Sequence, residues 1–270
     1  MAVSIPRDVL FQYRRFTLYN SPYVAHDAGC AIDLYPEGGT APSPVSGEVI
    51  DTRTVEAPPQ PYAETHDYLL VIDTGEYVAR LLHVKPGVEP GETVDIGDPL
   101  GELVRAGFFA PWVPNHIHLG FREPDANHYR ASGSLLIDVA VDPTPLSWDG
   151  TGQVVETGET WARLDAPAHP APGEAFVGLE SGGGVLDGGF PHYDYGGLLG
   201  AGNSAVIAGT RVGTVSGRTV TWDDCTVRAN RQAVTGIALY CARDSFGIKL
   251  VGDGIDLRTG DAVTVEVTYE

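Results

Sequence analysis

Lysine is nearly absent. Of the 17 Lys and Arg residues in the 270-residue chain only Lys85 and Lys249 are lysines, against 36 Asp and Glu, and the formal net charge is −19. Such a chain lacks the basic footprint that nucleic acids and anionic membrane surfaces require, so neither is an expected partner. The acidic excess fits adaptation to high salt, where screening removes the self-repulsion of carboxylates. A GC-rich genome accounts for the lysine scarcity equally well. Cysteine is scarce too: Cys30, Cys225 and Cys241 are an odd set with no scaffold spacing. That argues against a disulfide-stapled secreted fold and suits a reducing compartment, with Cys225 and Cys241 as buried thiols. The opening residues lack the basic, apolar and small-residue series of a secretory signal, and no apolar run approaches bilayer length. We therefore expect a cytoplasmic protein. Long helix-patterned stretches are missing as well, as is any HExxH, which removes the helical metallopeptidase with a glutamate base.

What the chain has in plenty is turn chemistry: 34 Gly and 20 Pro, with 43% hydrophobic residues arranged in short runs. This grammar predicts an all-β protein of antiparallel sheets. Residues 1–148 form one expected domain and residues 149–270 a second β-rich one, barrel or sandwich, joined through LSWDGTGQVVETGET. In the first block SPVSGEVIDT (43–52) and GDPLGELVRA (97–106) share a Pro, apolar, Gly, Glu, apolar pattern, a weak internal repeat. Between them, strands are expected over 68–73 and 77–84, around a turn at Thr74-Gly75. The second block shows strand after strand (SAVIAGTRVGTVSGRTVTW, TGIALYCA, FGIKLVG, DAVTVEVTY) but no chemical constellation. His169 and His192 read there as exposed loop histidines, and recognition or assembly with a protein partner is the role left for this half.

The chemistry gathers in the first block. In PNHIHLGF (114–121) a strand's period of two puts His116 and His118 on one face and Ile117, Leu119 and Phe121 on the other. Two neighbouring imidazoles in a half-buried strand need partners. In AIDLY, Asp33 shares a face with Ala31 and Tyr35 while Ile32 and Leu34 pack inward; a carboxylate opening a buried apolar strand needs a cation or donors. His26 precedes it in a Gly-containing loop, and His83 ends the strand of RLLHV. One Asp and two or three His at strand ends match the donor set of a catalytic zinc site with an open position.

These segments resemble the lysostaphin-type (LytM-type) zinc metallopeptidases over His26 to Phe121. The likeness lies in the His…Asp pair, the turn SPVSGEV, the segment LLHV, the Gly-rich connector VEPGETVDIGDPLG and the HxH strand HIHLGF. The resemblance implies a duplicated hybrid motif, a small antiparallel β domain of barrel-sandwich hybrid type, with His26, Asp33 and His118 holding Zn2+. It implies His83 and His116 as catalytic residues facing the reacting carbonyl and water. The sequence departs from the family in one place: six residues, DAGCAI, separate His26 from Asp33, where the family has three, so that Asp27 or Cys30 could substitute or join as ligands.

The implied activity is hydrolysis of an amide bond in a peptide-like substrate by a metal-activated water. The family's usual substrates, peptide cross-links of bacterial cell wall, lie outside the membrane, so the activity class carries over here without the substrate. Two alternatives stand beside it: a non-catalytic zinc-binding interaction module of the same fold, and a phosphocarrier-like protein with two facing histidines. Asp33 in the same pocket disfavours the last, because a carboxylate repels phosphate.

Overall fold

In the computed structural model, which describes residues 2–269, strand alternation decides which side of each sheet is core. The chain is all-β, with large antiparallel sheets; neither unit closes into a barrel among the described residues. It divides into two compact units. One consists of Tyr23–Ala140 with the N-terminal residues up to Phe16; the other takes Thr17–Pro22 together with the chain from Val141 onward. The described helical segments are short, Arg7–Leu10 and the 3-10 turn Val24–Gly29, and none is long and apolar enough to cross a membrane.

The main sheet of the first unit runs, in spatial order, Ala31–Tyr35, Ile117–Arg122, Val78–Leu82, His66–Asp73 and Gly47–Glu56, each neighbour antiparallel to the next. One face of it is hydrocarbon. Ile32, Leu34, Leu70, Ile72, Leu81, Ile117 and Leu119 are fully buried there, each stabilising the fold by roughly 1.5–3 kcal/mol over an exposed position. A one-residue slip would turn all of them to the opposite face, so the register is firmly specified. The opposite face, by the same alternation, carries Asp33, His118, Asp67, Arg80 and Arg122. A smaller antiparallel sheet (Thr40–Pro42, Pro99–Leu103, Val84–Pro86) and a parallel pair (Ala2–Ile5 with Leu136–Val139) complete the unit.

The repeat seen in the sequence has a backbone reason. Gly47 and Gly101 occupy equivalent places in it, and a Cβ on either would fall 2.1 Å from Asp73 O or 2.0 Å from Lys85 O. Each copy thus uses its glycine to bring a strand against a neighbour's carbonyl. The strand expected over 77–84, however, ends at Leu82. His83 takes φ 71°, and this left-handed residue separates Val78–Leu82 from Val84–Pro86.

The second unit packs its strands around Leu164, Leu179, Leu186, Phe190, Ile207, Ile237 and Leu250. Its first segment comes from far away in sequence: the Leu18 and Tyr19 N–H groups donate to Asp187 Oδ2 at 2.5 and 3.2 Å. Cys225 and Cys241 are buried and outside any disulfide, as expected. The two histidines are not exposed loop residues. His169 is partly buried, its Nε2 3.0 Å from Ala175 O. His192 is also partly buried, and burial pushes its imidazole down to about 4.

Candidate metal centre

His118 lies directly opposite Asp33 across the antiparallel pair, so a buried carboxylate and a buried imidazole meet on one face because of register alone. His26 arrives from the 3-10 turn. The six-residue separation is taken up by a kink: Asp27 has ψ 131°, and Ala28 and Gly29 follow at φ 54° and 79°. The three donor atoms form a triangle. His26 Nε2 is 3.0 Å from His118 Nδ1, and each is 3.2 Å from Asp33 Oδ1. Donors at about 2.0–2.1 Å around a tetrahedral ion stand about 3.3 Å apart, so this triangle has the size of one face of such a polyhedron. Two ring nitrogens and a carboxylate oxygen lie in mutual contact, and a cation bound among them would satisfy all three at once. The group His26, Asp33 and His118 therefore fits a metal.

Asp27 and Cys30 are not members of that group. Asp27 is exposed and Cys30 half-buried. His116 stands beside the triangle, its Nε2 3.5 Å from Asp33 Oδ1. Its Nδ1 is 2.9 Å from Pro114 O, which can only accept, so Nδ1 carries the proton and Nε2 presents a lone pair. Phe109 stacks on its ring at 4.5 Å between centroids.

His83 completes the set, 5.0 Å from His116 and 5.8 Å from His118 between ring centroids. Leu82 pairs with His118 and takes the site face, so a regular strand would send the next side chain to the core face. The positive φ of His83 breaks that alternation. Asp67, fully buried, holds the kink: its Oδ1 accepts the His83 backbone N–H at 3.0 Å and its Oδ2 the Nδ1–H at 2.7 Å. Since the carboxylate only accepts, Nδ1 carries a proton, and in the neutral ring the lone pair then lies on Nε2. Sequence reasoning missed Asp67. The signal was there, because it opens the apolar strand of HDYLLVID as Asp33 opens AIDLY.

Burial keeps His116 and His118 neutral. Burial pushes His116 down to about 3 and His118 down to about 4, against the raising influence of Asp33. Burial alone would raise the Asp33 carboxyl; its electrostatic interactions with the facing His116 and His26 and the hydrogen bonds of His118 and His26 reverse this and hold it well below the usual carboxylate range. Neutral imidazoles and an ionised carboxylate are the states in which these groups bind metal. The five side chains are 2–7% exposed. A pocket of about 590 Å³ in this unit, lined among others by Tyr62, Glu64, His66, Lys85 and Arg105, includes none of the five.

Two family models match the chain: the Domain of unknown function (DUF8155) N-terminal domain over residues 4–139, and the DUF8155 C-terminal domain over residues 144–268. No curated protein and no solved structure matches it. With the paired models spanning nearly its whole length, the chain belongs to the DUF8155 family.

Proposed function

We propose that the first unit is a zinc-dependent hydrolase of amide or peptide bonds, related to the lysostaphin-type metallopeptidases. The observation that carries this reading is the donor triangle of 3.0–3.2 Å edges with two further histidines beside it. Zn2+, held by His26 Nε2, Asp33 Oδ1 and His118 Nδ1, supplies Lewis acidity when bound, polarising an amide carbonyl and lowering the pKa of water to about 7. His116 Nε2 and His83 Nε2 are the two bases that accept the proton of the attacking water and return one to the leaving amine. Pro114 O and Asp67 fix their tautomers by holding each Nδ1–H. Phe109, against both rings, shields them from bulk water.

The deep burial of the site favours a second reading, a zinc-binding interaction module without catalysis, because a substrate has no open approach in this conformation. One experiment separates the two. Zinc content is measured on chelator-free protein, and hydrolysis on a fluorogenic peptide library. We expect one zinc per chain, lost in His118→Ala. Under the hydrolase reading His116→Ala and His83→Ala keep the zinc and lose about 10²–10⁴-fold in rate. Zinc without hydrolysis in the wild type selects the module; no zinc uptake sinks both.

A further inference from the structure

Two arginines occupy positions where a cation is costly. Arg80 and Arg122 are 4% and 2% exposed. Both stand on the sheet face that carries Asp33 and His118: Arg80 lies opposite Gly120, and Arg122 follows Gly120 by two residues on the HxH strand. Gly120 has no side chain, and the space over it is taken by the strap: a Cβ there would lie 3.0 Å from Ser134 Oγ.

All their hydrogen-bond partners are neutral. Arg80 Nε donates to His128 O; Arg122 donates from Nη1 to Ser132 O at 2.5 Å and from Nη2 to Arg130 O at 2.7 Å. The Nε of Arg122 is buried and has no acceptor among the described residues. Among the described residues neither guanidinium has a carboxylate ion pair. Carboxylates are not in short supply, at 36 in the chain, yet none fills this position. Burial, and then the charge of Arg122, push Arg80 down to about 10. Two like charges are withdrawn from water with no carboxylate beside them, and the Cys30 thiol facing Arg122 offsets burial there only in part.

We propose that Arg80 and Arg122 form an oxyanion-binding site beside the candidate metal centre, and that its ligand is a carboxylate or phosphate group of the substrate. The carbonyls that cap the guanidiniums belong to the strap 123–134, most of which is exposed. Charge-assisted bonds to an anion replace those carbonyl bonds and are the stronger kind. A strand rises about 3.3 Å per residue, which puts the Arg122 backbone about 13 Å from that of His118. The site thus selects acidic substrates, in a chain whose net charge of −19 repels anions from the rest of its surface. The substrate assignment rests on the hydrolase reading; the binding of an anion does not.

Isothermal titration of the zinc-free protein with sodium phosphate and, separately, sodium acetate in chloride-free buffer reads the site directly. One anion per chain is expected, and the two arms rank phosphate against carboxylate. Arg80→Met and Arg122→Met should each weaken it at least tenfold. Hydrogen exchange of the wild type locates it without any variant: phosphate should alter protection in 123–134 and 78–82. No saturable uptake of either anion, uptake that leaves both segments unchanged, or undiminished affinity in folded Met variants overturns the proposal. Because the protein is metal-free throughout, failure here leaves the zinc reading standing, and a failure of zinc leaves this site standing.

Discussion

Asp33 in the first unit and Asp187 in the second are withdrawn from water to the same degree, at 2% and 0% exposed, but they keep different company. Asp187 Oδ2 accepts two backbone N–H groups, those of Leu18 and Tyr19. Its charge ties a distant segment into the unit's strands. Asp33 Oδ1 meets His26, His116 and His118, all of which can exchange protons or bind metal. The partners of Asp187 tie strands together, while those of Asp33 are the donor set on which the proposed metal site rests. Burial alone does not tell them apart; their partners do.

Substitution breaks the comparison most sharply. Asp33→Ala removes one of the three proposed metal donors, and zinc affinity should fall by more than the about 10–100-fold that loss of a supporting hydrogen bond costs; metal analysis after dialysis reads this. Asp187→Ala should leave zinc content unchanged and lower stability by about 2–5 kcal/mol in urea unfolding, since two buried N–H groups lose their acceptor. If Asp187→Ala loses zinc, or Asp33→Ala keeps it, the division fails.

Acid sharpens it at smaller amplitude. His116 and His118 titrate at about 3 and about 4 in the folded protein against 6.5 in an open chain. Between those values the unfolded chain binds more protons than the folded one, so stability falls as pH drops from about 6.5 through that range. Asp33, held low, adds loss of the same sign further down. His192, at about 4, gives the second unit its own share, which His192→Gln should remove. The thermal midpoint of zinc-free protein at pH 7 and pH 5 tests this, and a flat profile would count against the buried neutral imidazoles.

Salt should have the smallest effect. The Debye length shrinks from about 10 Å at 0.1 M to about 3 Å at 1 M, so repulsion within the acidic surface should relax and the midpoint rise by a few degrees in molar KCl. A falling midpoint would remove the high-salt reading.

Alternation made much of this legible. The period of two in AIDLY and HIHLGF assigned both faces of the sheet, and with them Asp33, His116 and His118, because nothing interrupts either strand. Where a backbone departs from its period the pattern goes silent. No residue type announces φ 71° at His83, so the strand was drawn one element too long there. The guanidiniums of Arg80 and Arg122 were equally hidden, since an arginine on an alternating strand reads as solvated until register shows what covers it. The membership of Thr17–Pro22 in the second unit depends on a contact across about 170 positions of sequence, which local patterning does not carry.

The grip of Asp67 on His83 has a bearing on how that position tolerates replacement. One carboxylate holds both the main-chain N–H and the ring, so loop shape and ring direction are inherited together rather than separately. Alanine at 83 would discard the ring while still paying for a Cβ in a left-handed residue. Glycine discards the ring and relaxes the loop, a difference of about 1 kcal/mol. If His83 serves the proposed hydrolysis, position 83 should therefore drift towards glycine, asparagine or aspartate in any descendant without that activity, and that drift is a mark by which such a descendant could be recognised.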